Sequence, residues 1–187
     1  MKKTGLFGGT FDPVHKAHIA IAEKALEVLA LDKVIFVVAG EPPHKSGDYR
    51  TGALHRLKMV ESATANNSKF EVSDYEISKQ GKSYSYQTAA HFKKKYPDSE
   101  FYFIIGDDAY CELPTWKCPE KLRTLVKFAV FPRVGCKVTG NCIKIGIEPI
   151  KISSTQIREL LLNGKDASDL LPESVTTYIK ENNLYKG

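Results

Sequence analysis

Along the whole chain, apolar runs of strand length alternate with stretches whose apolar residues recur at helical spacing, and no other feature restricts the fold so tightly. Residues 3–7 read as a strand ending in a glycine pair, after which Ile19, Ala22, Leu26 and Leu29 follow at spacings of three and four. The β-branched run 34–38 makes a second strand, and beyond a loop at 40–49 Leu54, Leu57, Val60 and Ala63 mark one face of a helix. Residues 70–72, 101–105 and 128–131 supply three more strands, with a helix over 86–96 between the first two of them. Ile143, Ile145 and Ile147 alternate with Lys144 and Gly146, as residues of a half-exposed strand do. Helices over 154–162 and 173–181 close the chain. Strands joined through helices run parallel, because each crossover returns the chain to the same end of the sheet. The expected fold is α/β: a single doubly wound, Rossmann-like parallel sheet with helices on both faces, forming one domain over residues 1–187. Ligands in such sheets bind beyond the carboxyl ends of the strands, where the strand order reverses. The loops after the first, second and fourth strands therefore carry the expected site.

Composition removes several other solutions. The 187 residues are 42% hydrophobic and 10% aromatic, enough to bury a core without bridges or metal and too apolar for disorder. The longest apolar runs, 34–39 and 101–105, fall far short of the roughly 20 residues a membrane helix needs. Met1-Lys2-Lys3 resembles the start of a signal peptide, but Gly8, Gly9, Asp12 and His15 interrupt the apolar stretch that must follow. A cytoplasmic location is expected. Four cysteines, at 111, 118, 136 and 142, show no C-x-x-C spacing and are expected to be reduced thiols without special role. The run Lys93-Lys94-Lys95, with Asp98 and Glu100 close behind, reads as a solvated helix face. A net charge of +5 suits small anionic ligands, and no nucleic-acid or membrane partner is expected. Oligomeric state is left open, a homo-oligomer included.

Two segments carry chemistry. Gly8-Gly9-Thr10-Phe11-Asp12-Pro13-Val14-His15-Lys16-Ala17-His18 sits where the first strand passes to a helix. Glycines there let backbone N–H groups approach an anion, and the helix start adds unpaired donors and the positive end of the dipole. His15 and His18, three apart, can turn their rings to the same side. A tight turn with two unrelated histidines is the plainer account, and it leaves the joint occurrence of strand, glycines, histidine pair and helix unexplained. Neither G-K-S/T nor G-x-G-x-x-G is present. Far along the chain, Ile152-Ser153-Ser154-Thr155-Gln156-Ile157-Arg158 opens another helix. Ser153 with Gln156 has capping-box spacing, which accounts for one serine but not for the second hydroxyl or the arginine at the same helix end. Hydroxyls, free N–H groups and a permanently charged guanidinium make a polyphosphate clamp.

The first segment resembles the histidine signature of the nucleotidyltransferase superfamily, roughly G-x-F-D-x-x-H-x-G-H, with Ala17 where glycine is usual. With "ISSTQIR", the chain resembles the bacterial nicotinate-nucleotide adenylyltransferases. The likeness extends through "PPHK" (42–45), "SYSYQT" (83–88), "FIIGDD" (103–108), "LPTW" (113–116) and "LLPESVTTYI" with "NNLY" at the end. Ser85 stands where threonine is usual and Gln87 where aspartate is. The resemblance implies direct attack of a mononucleotide phosphate on the α-phosphorus of ATP, giving deamido-NAD and pyrophosphate, with Mg²⁺ carried by the nucleotide. A phosphate monoester is already ionised near neutral pH, so the nucleophile needs no general base; alignment and charge stabilisation are what remain.

The same resemblance implies roles residue by residue. His15 and His18 would meet the ATP phosphates, His18 the α-phosphate and bridging oxygen, with Gly8, Gly9 and Thr10 supplying donors and Phe11 packing or presenting backbone. Ser154, Thr155 and Arg158 would hold the β- and γ-phosphates; His15, His18 and Arg158 form the catalytic set. Gly106 and Asp108 would belong to the nucleotide site, Asp107 competing with Asp108 for that part, and Arg133 would reach the phosphates or lie on the surface. His44 and Lys45 would meet the mononucleotide phosphate, Trp116 would stack on the pyridine ring, and Tyr84 and Ser85 would read its carboxylate. Rival readings are another adenylyl- or cytidylyltransferase of the superfamily, such as one acting on phosphopantetheine, and a non-catalytic nucleotide-binding module. A class I aminoacyl-tRNA synthetase shares the histidines, but no K-M-S-K-S is present.

Overall fold

The computed structural model describes residues 1–40, 51–79, 81–133, 135–148 and 150–186. Among them, β1 (Lys2–Gly9), β2 (Lys33–Val38), β3 (Phe70–Ser73), β4 (Ser99–Gly106), β5 (Lys127–Phe131) and β6 (Ile143–Lys144) form one sheet in the order β3-β2-β1-β4-β5-β6. Every pairing is parallel. From β1 the chain steps outward through β2 and β3, then crosses back to β4 on the other side of β1 and steps outward again. The reversal of order lies between β1 and β4.

Alternation along each strand feeds both faces. In β2, Val34, Phe36 and Val38 enter one buried cluster while Ile35 and Val37 enter the other. β4 divides likewise, Tyr102 and Ile104 to one side and Phe101, Phe103 and Ile105 to the other. Such strands read as continuous apolar runs because neither face meets water. The first cluster is closed by α1 (Lys16–Leu29), α2 (Ala53–Thr64), α7 (Ser154–Leu162) and α8 (Glu173–Glu181), which contribute Ala22 and Ala25, Met59 and Val60, Ile157, and Val175 and Ile179. The second is closed by α4 (Ser85–Lys95), α5 (Asp107–Cys111) and α6 (Pro119–Leu125) through Ala89 and Phe92, Tyr110, and Leu122. Burying each of the larger side chains is worth about 1.5–3 kcal/mol.

The expected doubly wound parallel sheet is thus present, with differences in its small pieces. The last strand is only two residues long, paired through Ala129 with Ile143 and Val130 with Lys144; Ile145 then turns inward to 1% exposure. An edge strand with one neighbour has little to hold a longer run. α5, α6 and the four-residue α3 (Tyr75–Ser78) span too few turns to show a helical period. The cysteines correct an expectation: Cys111 and Cys136 form a disulfide with Cα atoms 6.8 Å apart, while Cys118 and Cys142 are free. Cys111 ends the helix after β4 and Cys136 follows β5, so adjacent parallel strands bring together residues whose spacing in sequence gave no sign. The lysine run lies in the last turn of α4, where the negative end of the helix dipole favours cations. No helix among the described residues is long and apolar enough to cross a membrane.

Candidate active site

The carboxyl ends of β1, β4 and β5 and the N-termini of α1, α4 and α7 surround one cavity of about 730 Å³. Its walls include Gly8, Gly9, Thr10, Phe11, His15 and His18 from the first signature, and Ser154, Thr155 and Arg158 from the second. Gly106, Asp108 and Arg133 line it from the β4 and β5 ends, and Tyr84, Ser85 and Trp116 from the far side. Of the residues singled out in the sequence, only His44 and Lys45 lie outside the described residues.

Glycine is required at position 9 by the fold itself, since a Cβ there would stand 2.8 Å from the ring of Phe11. Phe11 has φ 51° and is 2% exposed, with its ring edge-on to His18 at 5.0 Å and tilted against Phe36. Nothing lies within 4 Å of a Cβ at Gly8, so protein packing does not explain that glycine, which lines the cavity. After the cis Asp12-Pro13 bond, His15 caps α1 and His18 falls one turn on. The two imidazoles stack with centroids 3.7 Å apart. His15 N–H donates to His18 Nδ1 at 3.2 Å, which leaves the His18 proton on Nε2. Burial, with Arg133 nearby, pushes the His15 pKa down to about 4. Burial, His15 and Arg133 hold His18 well below its usual value. Both rings are therefore neutral at pH 7, and His18 is a neutral donor of fixed orientation.

The two signatures are bonded to each other. Arg158 Nη1 donates to the Asp12 carbonyl at 2.8 Å and Nη2 to Thr155 Oγ1 at 3.3 Å, while the Ser154 hydroxyl donates to the Pro13 carbonyl at 3.0 Å. Ser153 Oγ accepts from Gln156 N at 3.2 Å, so the capping account of that serine holds. At the end of β4 the adjacent aspartates divide. Asp107, 4% exposed, accepts backbone N–H groups of Asp108, Arg133 and Gly135 and so shapes the loop after β5. Asp108 lines the cavity, pairs with Arg133 Nη1 at 3.1 Å and keeps a buried Oδ1 with no partner. Trp116 follows a 3₁₀ turn (Leu113–Thr115) and sets its ring edge-on to Phe103 at 6.3 Å. Gln87, where the resembling family carries aspartate, accepts from the Lys79 ammonium. Among the described residues no three His, Cys, Asp or Glu side chains gather as a metal-holding group.

Two residues that no sequence pattern singles out hold these parts in place. Arg56, 1% exposed on α2, donates from Nη1 to the carbonyls of Thr10 and Ala39 at 2.8 Å and from Nε to that of Thr51 at 3.3 Å. Glu76 lines the cavity beside Tyr84 and Ser85, accepting the Thr88 hydroxyl at 2.6 Å and, on its carbonyl, the Ser83 hydroxyl at 3.4 Å. Burial raises the pKa of its carboxyl. An arginine on an otherwise amphipathic helix reads as surface in a sequence, because carbonyl partners from three separate loops leave no pattern.

A family profile described as cytidylyltransferase-like matches residues 6–160. Among curated relatives, one of Clostridium novyi (strain NT) is 43% identical over the full length of both chains, and one of Clostridium acetobutylicum is 41% identical over 99% of this chain and 100% of its own. Both carry the name "Probable nicotinate-nucleotide adenylyltransferase". Solved structures of the Plasmodium falciparum nicotinic acid mononucleotide adenylyltransferase, complexed with NaAD and with APC, superpose at TM-scores of 0.83 and 0.81. Each is 25% identical, covering 99% of this chain and 98% of its own. With that likeness running end to end and the two signatures meeting in one cavity, the chain belongs to the cytidylyltransferase-like family and, within it, to the nicotinate-nucleotide adenylyltransferases.

Proposed function

We propose that this enzyme transfers the adenylyl group of ATP to nicotinate mononucleotide: a phosphate oxygen of the mononucleotide attacks the α-phosphorus, the bond to the β-phosphate breaks, and pyrophosphate leaves as deamido-NAD forms. The observation that carries the reading is the direct bonding of Arg158 and Ser154 to the Asp12-Pro13 turn, which puts a clamp for the leaving phosphates against a fixed, neutral histidine donor. The nucleophile is ionised at neutral pH, so catalysis reduces to alignment and to donors for charge on the phosphates. His18 donates through Nε2 to the oxygen between the α- and β-phosphates, and His15 fixes that tautomer. Arg158, Thr155, Ser154 and the start of α7 take the β- and γ-phosphates, and the backbone at Gly8, Gly9 and Thr10 admits the α-phosphate at close range. Gly106 and Asp108 serve the nucleotide, with Arg133 on the phosphate side.

On the acceptor side, Trp116 stacks on the pyridine ring and the α4 N-terminus at Tyr84 and Ser85 receives its carboxylate, a site for an anion rather than for an amide. His44 and Lys45 are assigned to the mononucleotide phosphate from sequence alone. Asp108, with an unpartnered Oδ1 on the cavity wall, would meet a Mg²⁺ brought by ATP or its water, and that ion would offset charge on the phosphates. ATP and the mononucleotide as substrates agree with a cytoplasmic location. The test is pyrophosphate release from ATP with nicotinate or nicotinamide mononucleotide as acceptor. A higher kcat/KM for the nicotinate form is expected, and equal values would remove the acid-selective reading. His18→Ala should lower kcat by about a hundredfold or more at an unchanged melting midpoint; near-normal turnover would take His18 out of the mechanism.

A further inference from the structure

The closing "NNLY" segment has no part in the cavity, yet its tyrosine reaches the catalytic turn. Beyond α8 the chain folds back on itself: Asn182 N–H donates to the Tyr178 carbonyl and Leu184 N–H to that of Ile179, each at 3.1 Å. Asn183 and Tyr185 take φ values of 53° and 57°, in the left-handed region that non-glycine residues seldom occupy. The result is a tyrosine 7% exposed, within the same buried cluster as Val14 and Ile157, whose hydroxyl donates to Oδ1 of Asp12. Asp12 is itself 2% exposed, and its backbone carbonyl already accepts Arg158. The turn is thus gripped from two directions, backbone by α7 and side chain by the chain's last residues, and three residues further on stands His15, whose N–H orients His18.

We propose that Tyr185 is a positioning residue for adenylyl transfer: by holding the Asp12 carboxylate it fixes the Asp12-Pro13 turn and, through that turn, the His15–His18 pair. The inference rests on the function proposed above. Tyr185 does not line the cavity, so it acts through Asp12 and not on substrate. Filling space would require only a phenylalanine; what the hydroxyl adds is the bond to Asp12, with the Thr51 side chain also beside it. Burial and the Asp12 charge raise the phenol pKa far above its usual value, and the group stays a donor throughout the working range.

Tyr185→Phe keeps the ring and deletes the bond. Its melting midpoint should fall by roughly 2–12 °C, because the buried Asp12 carboxylate loses a donor, while the variant stays folded at the assay temperature. kcat should fall about tenfold or more, with KM for both substrates within about twofold. The imidazole NMR titration of His15 should move from about 4 toward the ordinary 6.5 as the turn loosens. Wild-type kcat together with a wild-type His15 titration would overturn the assignment, as would a loss of activity no larger than the loss of folded protein. Should Tyr185→Phe not fold, Asp12→Ala removes the same bond from the other side, and unchanged kcat and titration there are equally fatal. If the wild-type enzyme released no pyrophosphate, the proposed function would fail, while the imidazole titration still decided whether Tyr185 orients the His15–His18 pair.

Discussion

A pair of imidazoles stacked 3.7 Å apart cannot both carry charge cheaply, and here burial and Arg133 keep both neutral. That neutrality makes stability depend on pH. The unfolded chain protonates this ring below about 6.5, the native one only below about 4. Between those values the unfolded state binds more protons, so stability falls as pH falls. The contribution is complete above pH 6.5, is lost by about pH 4, and for His15 is on the order of 3 kcal/mol. Urea midpoints measured at pH 7.5, 6, 5 and 4.5 should drop more steeply for wild type than for His15→Asn, and parallel curves would contradict it. The histidines themselves were legible in the sequence because the strand, the glycines and the helix start lie within a dozen residues of them. Their protonation was not legible, since it depends on Arg133 and on burial by distant elements. The choice between Asp107 and Asp108 was likewise closed to sequence: adjacent carboxylates look equivalent until one is seen to be filled by three backbone N–H groups.

At the scale of elements, periodicity identified long pieces and missed short ones. α1, β2 and α7 each run long enough for apolar spacing to emerge, whereas α3 and α5 comprise one turn or little more; the strand read from the alternation at 143–147 is present, but only two of its residues pair. How the elements are tied was less visible still. α2 reads as an ordinary amphipathic helix, but its Arg56 holds the turn after β1 and the end of β2 together through backbone carbonyls. Those two loops flank the cavity, so α2 sets their separation although it contributes no residue to the lining. Replacing Arg56 by methionine leaves buried acceptors without their charged donor and should destabilise the fold by about 3 kcal/mol or more. Arg56→Lys keeps the charge but offers one ammonium where a planar fork spans several carbonyls. It should regain part of the stability and little of the kcat/KM. Urea titration and steady-state kinetics on the two variants check this. An Arg56→Lys enzyme with full activity would show that the spacing of the loops is set elsewhere.

For the whole molecule, the net charge of +5 pointed to small anions without giving them an address, and the sheet order supplies it. Since β1 is hydrogen-bonded to both β2 and β4, the halves on either side of the reversal are one continuous sheet. The cavity over that junction takes its walls from both, with His18 and Gly8 on one side and Trp116 and Asp108 on the other. A ligand spanning it contacts elements from near both ends of the chain, because α7 is bonded to the turn after β1 and the C-terminal Tyr185 to Asp12. Binding should therefore stabilise the molecule as a unit and not one half of it. Deamido-NAD at a hundred times its Kd should raise the unfolding free energy by about 2.7 kcal/mol. The rise should come in a single transition, with far-ultraviolet circular dichroism and Trp116 fluorescence moving together. Trp116 fluorescence reports the β4 side, so a shift in that signal alone, with backbone circular dichroism unmoved, would mean that β1 does not couple the halves and that the two signatures are joined only in the folded ground state.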